Sequence, residues 1–157
     1  MSLAKQEDKE QLIDLWVRCE MNPQDLGEDL LTRKWIDIGF QAEDPTTDFR
    51  ASGALGLINL LHFLRNYETE ALECLKTART PGSEYFFACG GIGITVNLLD
   101  KITNFELFAE FENSKNNEDV LYRFNKLYSL VFIRFNKYWK ESGRSDSFMN
   151  FNTVLVS

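Results

Sequence analysis

The 157-residue chain predicts an all-α fold, and three observations carry that expectation. Apolar residues recur at three- and four-residue steps through most of the chain, the spacing that lines one face of an α-helix. Period-two alternation is confined to residues 153–156. Pro23, Pro45 and Pro81 all stand where the helical pattern is already interrupted, as suits a residue without an amide proton. A single domain over 1–157 with about six to eight helices is expected. Residues 1–4 are expected to be disordered or added to the natural chain.

The first helix is expected over 5–20, where Leu12, Leu15, Trp16 and Cys19 share a face. After Met21-Asn22-Pro23, a second spans 24–37 with Leu26, Leu30, Leu31 and Trp35, its proline suited to an early helical position. Gly39 ends it, and the polar stretch 41–48 is rich in turn formers. Periodicity resumes at Ser52 and runs through Leu55, Leu57, Ile58, Leu60, Leu61 and Leu64. Apolar around much of its circumference, this segment reads as the central buried helix. A shorter amphipathic helix over 68–77 is broken by Thr80-Pro81-Gly82-Ser83. Residues 84–101 mix Ala88, Gly90, Gly91 and Gly93 with apolar residues. They read as a helix although each Gly costs about 1 kcal/mol against Ala. The longest helix is expected over 117–141, with Leu121, Phe124, Tyr128, Val131, Phe135 and Tyr138 on one face. Glu118 and Asp119 occupy its first turn, where the helix dipole favours acids. Beyond Ser142-Gly143, Ser147 caps a last short helix carrying Phe148, Phe151, Val154 and Leu155.

Composition removes several function classes. With 44% apolar and 26% charged residues the chain is globular, and 13 Phe, 5 Tyr and 3 Trp supply a bulky core. Seventeen basic and 24 acidic side chains give a net charge of −7, which argues against nucleic acid, since that affinity rests on cations neutralising phosphates. Cys19, Cys74 and Cys89 are odd in number and widely spaced, against a disulfide framework or structural zinc. No signal-peptide core is present, and no apolar run approaches the ~18–20 residues of a membrane span. A cytoplasmic monomer without stable membrane insertion is expected.

Few residues offer chemistry. His62 is the one histidine, so any Ser-His-Asp or Cys-His system would run through it. Between Leu61 and Phe63 it reads as a buried or half-buried structural residue. Gly90-Gly91-Ile92-Gly93-Ile94-Thr95 lacks the lysine of a phosphate-binding loop, and close helix packing is the reading taken. Asp44 and Asp48 suit either acid/base work or capping of backbone amides, and capping is expected. Nothing here resembles a self-contained enzyme.

Residues 35–56 depart from this pattern. Phe40 and Phe49 flank a polar loop, and each immediately precedes a polar residue, Gln41 and Arg50. Buried rings there would pin both loop ends and hold Arg50 at the start of the central helix. A cation at a helix start opposes the macrodipole. Either Asp48 compensates it locally or the arginine is held for a partner's anion.

The string W-I-D-I-G-F-Q-A-E-D-P-T-T-D-F-R over 35–50, followed by G-x-x-G-L-x-N-L-L-x-F over 53–63, resembles the signature of the ELMO domain. That domain is shared by the engulfment-and-motility proteins and the ELMOD GTPase-activating proteins. The resemblance continues in Tyr85-Phe86-Phe87-Ala88, Asn97, Trp139 and Phe148-Met149-Asn150-Phe151. It implies an all-α domain that stimulates GTP hydrolysis on Arf-family and Arf-like small GTPases, with Arg50 supplied in trans. An inserted arginine is worth about 10³–10⁵ in rate, or about 4–7 kcal/mol of barrier, because its planar fork bridges phosphate oxygens. By the same resemblance, Trp35, Gly39, Phe40, Gln41, Asp44, Pro45, Thr47, Asp48, Phe49 and Gly53 support the loop. GTP and magnesium belong to the GTPase, so no cofactor is expected here. Recruitment to membranes would come through that partner. The alternative is a non-catalytic module in an assembly that activates a Rho-class GTPase through an exchange factor, with Arg50 paired to Asp48. The family commonly has Gly after the arginine, whereas this chain has Ala51. A positive φ at that position would disfavour Ala, while a helical position would tolerate it.

Overall fold

Helix α1 (Gln6–Arg18), α3 (Glu68–Arg79), α4 (Phe87–Thr103) and α5 (Asn117–Glu141) all pack against α2 (Ala54–Asn66), which lies at the centre of the bundle. The computed structural model describes residues 1–3 and 5–141. Short 3-10 segments at Pro23–Asp25, Arg33–Ile38, Pro45–Arg50 and Phe108–Glu110 complete the helical content, and no strand occurs among the described residues. The all-α expectation holds, and one connected apolar core runs from Leu12 to Trp139. Met1 and Leu3 lie against that core, and the Ser2 amide donates to Asp8.

The face expected for α1 is buried throughout: Leu12, Leu15, Trp16 and Cys19 are all sealed from solvent. In α2, Leu57, Leu60, Leu61, Phe63 and Leu64 are buried, and Asn59 donates to the Thr95 hydroxyl of α4 at 2.8 Å. Gly91 is where α4 crosses closest. A Cβ there would press on Leu60 and on the Tyr128 hydroxyl. At Gly91, then, the glycine run serves close packing between helices.

Two expectations about elements are corrected. The helix read over 24–37 is instead Pro23–Asp25 and Arg33–Ile38, separated by a turn. Asn22, Asp29 and Thr32 accept the amides of Gln24, Leu31 and Lys34 through their side chains, a local alternative to helical bonding. Leu30 takes a positive φ of 61°. It is buried with Trp35, whereas Leu31 is exposed. The stripe on α5 runs through Phe124, Tyr128, Phe132, Phe135 and Trp139, leaving Leu121 and Tyr138 exposed. Tyr138 stands one residue, about 100°, off this face. Phe132 is absent from the expected stripe, and it bridges Phe63 of α2 at 4.9 Å and Phe87 of α4 at 5.0 Å. Helix bounds also move. The helix expected over 68–77 reaches Arg79, and that expected over 84–101 starts only at Phe87 and ends at Thr103. The helix expected after Ser147, with Phe148, Phe151, Val154 and Leu155, lies outside the described residues, as does the alternation at 153–156. No helix among the described residues is long and apolar enough to cross a membrane.

Candidate functional site

Four buried rings form a continuous series beneath the polar loop. Trp16 meets Trp35 edge-on at 4.8 Å, Trp35 meets Phe40 at 5.4 Å, and Phe40 meets Phe49 at 5.7 Å. The Trp35 indole donates to the Leu30 carbonyl at 2.8 Å, so its polar atom is satisfied inside the core. Phe40 and Phe49 thus pin both ends of the loop, as the sequence suggested.

The loop is closed by its own side chains. Asp44 accepts the Thr46 amide at 2.9 Å and the Thr46 hydroxyl at 2.6 Å, while the Thr47 hydroxyl donates to the Asp44 carbonyl at 2.8 Å. Buried Pro45 opens the 3-10 segment that Asp44 caps. Asp48 accepts the Gln41 amide at 2.9 Å. Both acids bond backbone amides, as the capping reading expects. Gly39 has φ +95°, and its Cα sits directly against the Phe86–Phe87 backbone, where a Cβ would meet the Phe87 amide nitrogen. Its carbonyl accepts the Cys89 amide from the first turn of α4 at 3.1 Å. Burial, then the neighbouring Asp48 carboxylate, push the Cys89 thiol up to about 12.

Arg50 is not at the start of α2, contrary to expectation. It is the last residue of Pro45–Arg50, and α2 begins at Ala54. The electrostatic objection disappears, because a cation is favoured at the C-terminal end of a helical segment. Its side chain is exposed and makes no hydrogen bond or ion pair with any described residue. The pairing to Asp48 that the alternative reading invoked is absent among them. The chain changes direction at Gly53, with φ +60° and its amide on the Phe49 carbonyl at 2.7 Å. Ala51 has φ −81° and ψ −34°, ordinary right-handed backbone that Ala adopts without strain.

His62 stands apart from this arrangement. It is half-buried, 3.2 Å from the Asn66 side-chain amide, and burial lowers its imidazole below the ordinary value.

The profile of the ELMO/CED-12 family matches residues 1–155. The chain belongs to the ELMO/CED-12 family. Its relatives include ELMO domain-containing protein B of Dictyostelium discoideum, 42% identical over 127 residues, covering 79% of this chain and 42% of that protein. ELMO domain-containing protein 2 of Mus musculus is 35% identical over 122 residues, covering 78% of this chain and 41% of that protein. ELMO domain-containing protein 1 of Pongo abelii is 30% identical over 163 residues, covering 93% and 49%. The chain thus spans about half the length of the curated relatives it matches. No solved structure matches it.

In this ELMO domain the signature residues meet in one place: Trp35, Gly39, Phe40 and Phe49 beneath the loop, Gln41, Asp44, Pro45, Thr47 and Asp48 along it, and Gly53 at its exit. Sequence reasoning missed Trp16 and Cys89 as parts of that unit. Trp16 was legible only as a core residue of α1, and nothing local marked Cys89 as a neighbour of residues 39 and 48, because the contact spans some fifty positions.

Proposed function

We propose that this ELMO domain stimulates GTP hydrolysis by a small GTPase of the Arf family, Arf-like members included, with Arg50 inserted in trans toward the transferring phosphoryl group. One observation carries the reading: an exposed guanidinium without a partner among the described residues, on a segment whose base is locked by buried rings and side-chain caps. Preorganised charge lowers a phosphoryl-transfer barrier because no reorganisation is needed when the transition state forms. A rigid base fixes the backbone from which the guanidinium reaches, and a surface arginine held in a local ion pair would first have to break it.

The test is single-turnover GTP hydrolysis by purified Arf and Arf-like GTPases with and without the domain. Wild type accelerates at least one of them, and Arg50→Ala returns that rate to basal. A panel in which wild type accelerates none, or in which Arg50→Ala accelerates fully, overturns the reading.

A further inference from the structure

A cleft of about 620 Å³ opens where the loop begins, with Ile36, Gly39, Arg79 and Phe86 among its lining residues. Ile36 and Phe86 leave 47% and 52% of their surface in solvent. Two large apolar side chains exposed on one concave surface lose nothing from burial by a partner and gain from it. The cleft is also preformed. The contact of Gly39 with the Phe86–Phe87 backbone fixes two of its segments together. Arg79 ties others by donating to the carbonyls of Asp37 at 2.9 Å and Cys19 at 3.2 Å. Binding there would therefore pay little in ordering.

We infer that this cleft docks an apolar side chain of the same GTPase whose nucleotide meets Arg50, seated between Ile36 and Phe86 with a basic neighbour facing Asp37. The inference rests on the function proposed above. Continuity favours this occupant. The Gly39 carbonyl holds the Cys89 amide, the Cys89 thiol neighbours Asp48, and Phe40, next in sequence to Gly39, packs on Phe49. Cleft and Arg50 segment are thus carried by one packed unit, so one partner can engage both. The cleft also offers an acidic contact, since the exposed Asp37 carboxylate makes no hydrogen bond or ion pair with any described residue.

The experiment measures binding of the domain to Arf-family GTPases loaded with a non-hydrolysable GTP analogue, using Ile36→Asp, Phe86→Asp, Asp37→Lys and Arg50→Ala. Circular dichroism melts establish that each variant is folded. Ile36→Asp and Phe86→Asp are expected to weaken binding at least about tenfold and Asp37→Lys several-fold, while Arg50→Ala binds within about twofold of wild type but no longer stimulates hydrolysis. If folded Ile36→Asp and Phe86→Asp bind as wild type while Arg50→Ala abolishes stimulation, the cleft assignment falls and the arginine mechanism stands. If wild type neither binds nor stimulates any member of the panel, both fall.

Discussion

Asp48 accepts the backbone amide of Gln41 at 2.9 Å, seven residues upstream, and so ties the exit of the polar loop to its entrance. That bond occupies the carboxylate which charge alone would assign to Arg50. The loop is closed by an acid and leaves its arginine free of any described partner.

Removing that tie should loosen the loop more than it weakens the fold. Asp48→Ala is expected to cost about 1 kcal/mol, the usual worth of a partly exposed hydrogen bond, and to lower the melting temperature by about 2–4 °C. Stimulated hydrolysis should fall further than the unfolded fraction accounts for. Calorimetry and hydrolysis rates on the same sample check both, and equal losses would argue against a positioning role.

Arg50 should be silent in stability. Arg50→Lys and Arg50→Ala are expected to shift unfolding free energy by less than about 0.5 kcal/mol, as substitutions away from structural contacts do. Both should cut stimulated hydrolysis by about 10³-fold or more, the lysine variant because it keeps charge but loses the bidentate fork. In a double-mutant cycle with Asp48→Ala, the stability coupling should stay under about 0.5 kcal/mol. A larger coupling would revive the ion pair.

Glycine substitutions separate backbone strain from steric conflict. Gly39 and Gly82 both hold positive φ, at 95° and 91°, but a Cβ meets the Phe86–Phe87 backbone at the first and open space at the second. Gly82→Ala is expected to cost about 1 kcal/mol and Gly39→Ala about 3 kcal/mol or more, measured by chemical denaturation. Similar costs at the two sites would mean that α4 is free to move away from Gly39.

The half-buried His62 makes stability depend on pH in a definite direction. Burial lowers its folded value below the ordinary 6.5, so the unfolded chain binds the proton more readily. Its contribution is present above about pH 6.5 and is lost as pH falls through the folded value. Melting temperatures at about pH 7.5 and about pH 5.5 should therefore differ more in wild type than in His62→Gln. Stimulation of hydrolysis at neutral pH should be unaffected by that change.

Much of this was legible because the signals were local. Leu12, Leu15 and Trp16 announce their face by spacing, and Phe40 and Phe49 bracket their loop by position. What stayed hidden depended on competition or distance. The stretch 24–37 carries helical periodicity, yet Asn22, Asp29 and Thr32 capture backbone amides and divide it. Phe132 fell outside the expected stripe because Val131 is as well spaced from Tyr128 and Phe135, and only its ring partners on other helices, Phe63 and Phe87, decide between the two. Arg79 carried no signal for its role, since the carbonyls it holds lie 42 and 60 residues away. The placement of Arg50 before Gly53, rather than at the mouth of α2, turned on one residue's positive φ.

The Cys89 thiol, half-buried beside Asp48, gives the loop a built-in chemical clock. Thiolate is the reactive form, and with the thiol pushed up to about 12 little of it exists at neutral pH while the loop is closed. Each opening that carries Asp48 away and admits water restores ordinary thiol acidity for as long as it lasts. Alkylation of Cys89 under native conditions is therefore expected to quicken whenever the loop opens. Cys19, sealed in the core, is the slower reference, so one protein carries both the measurement and its comparison.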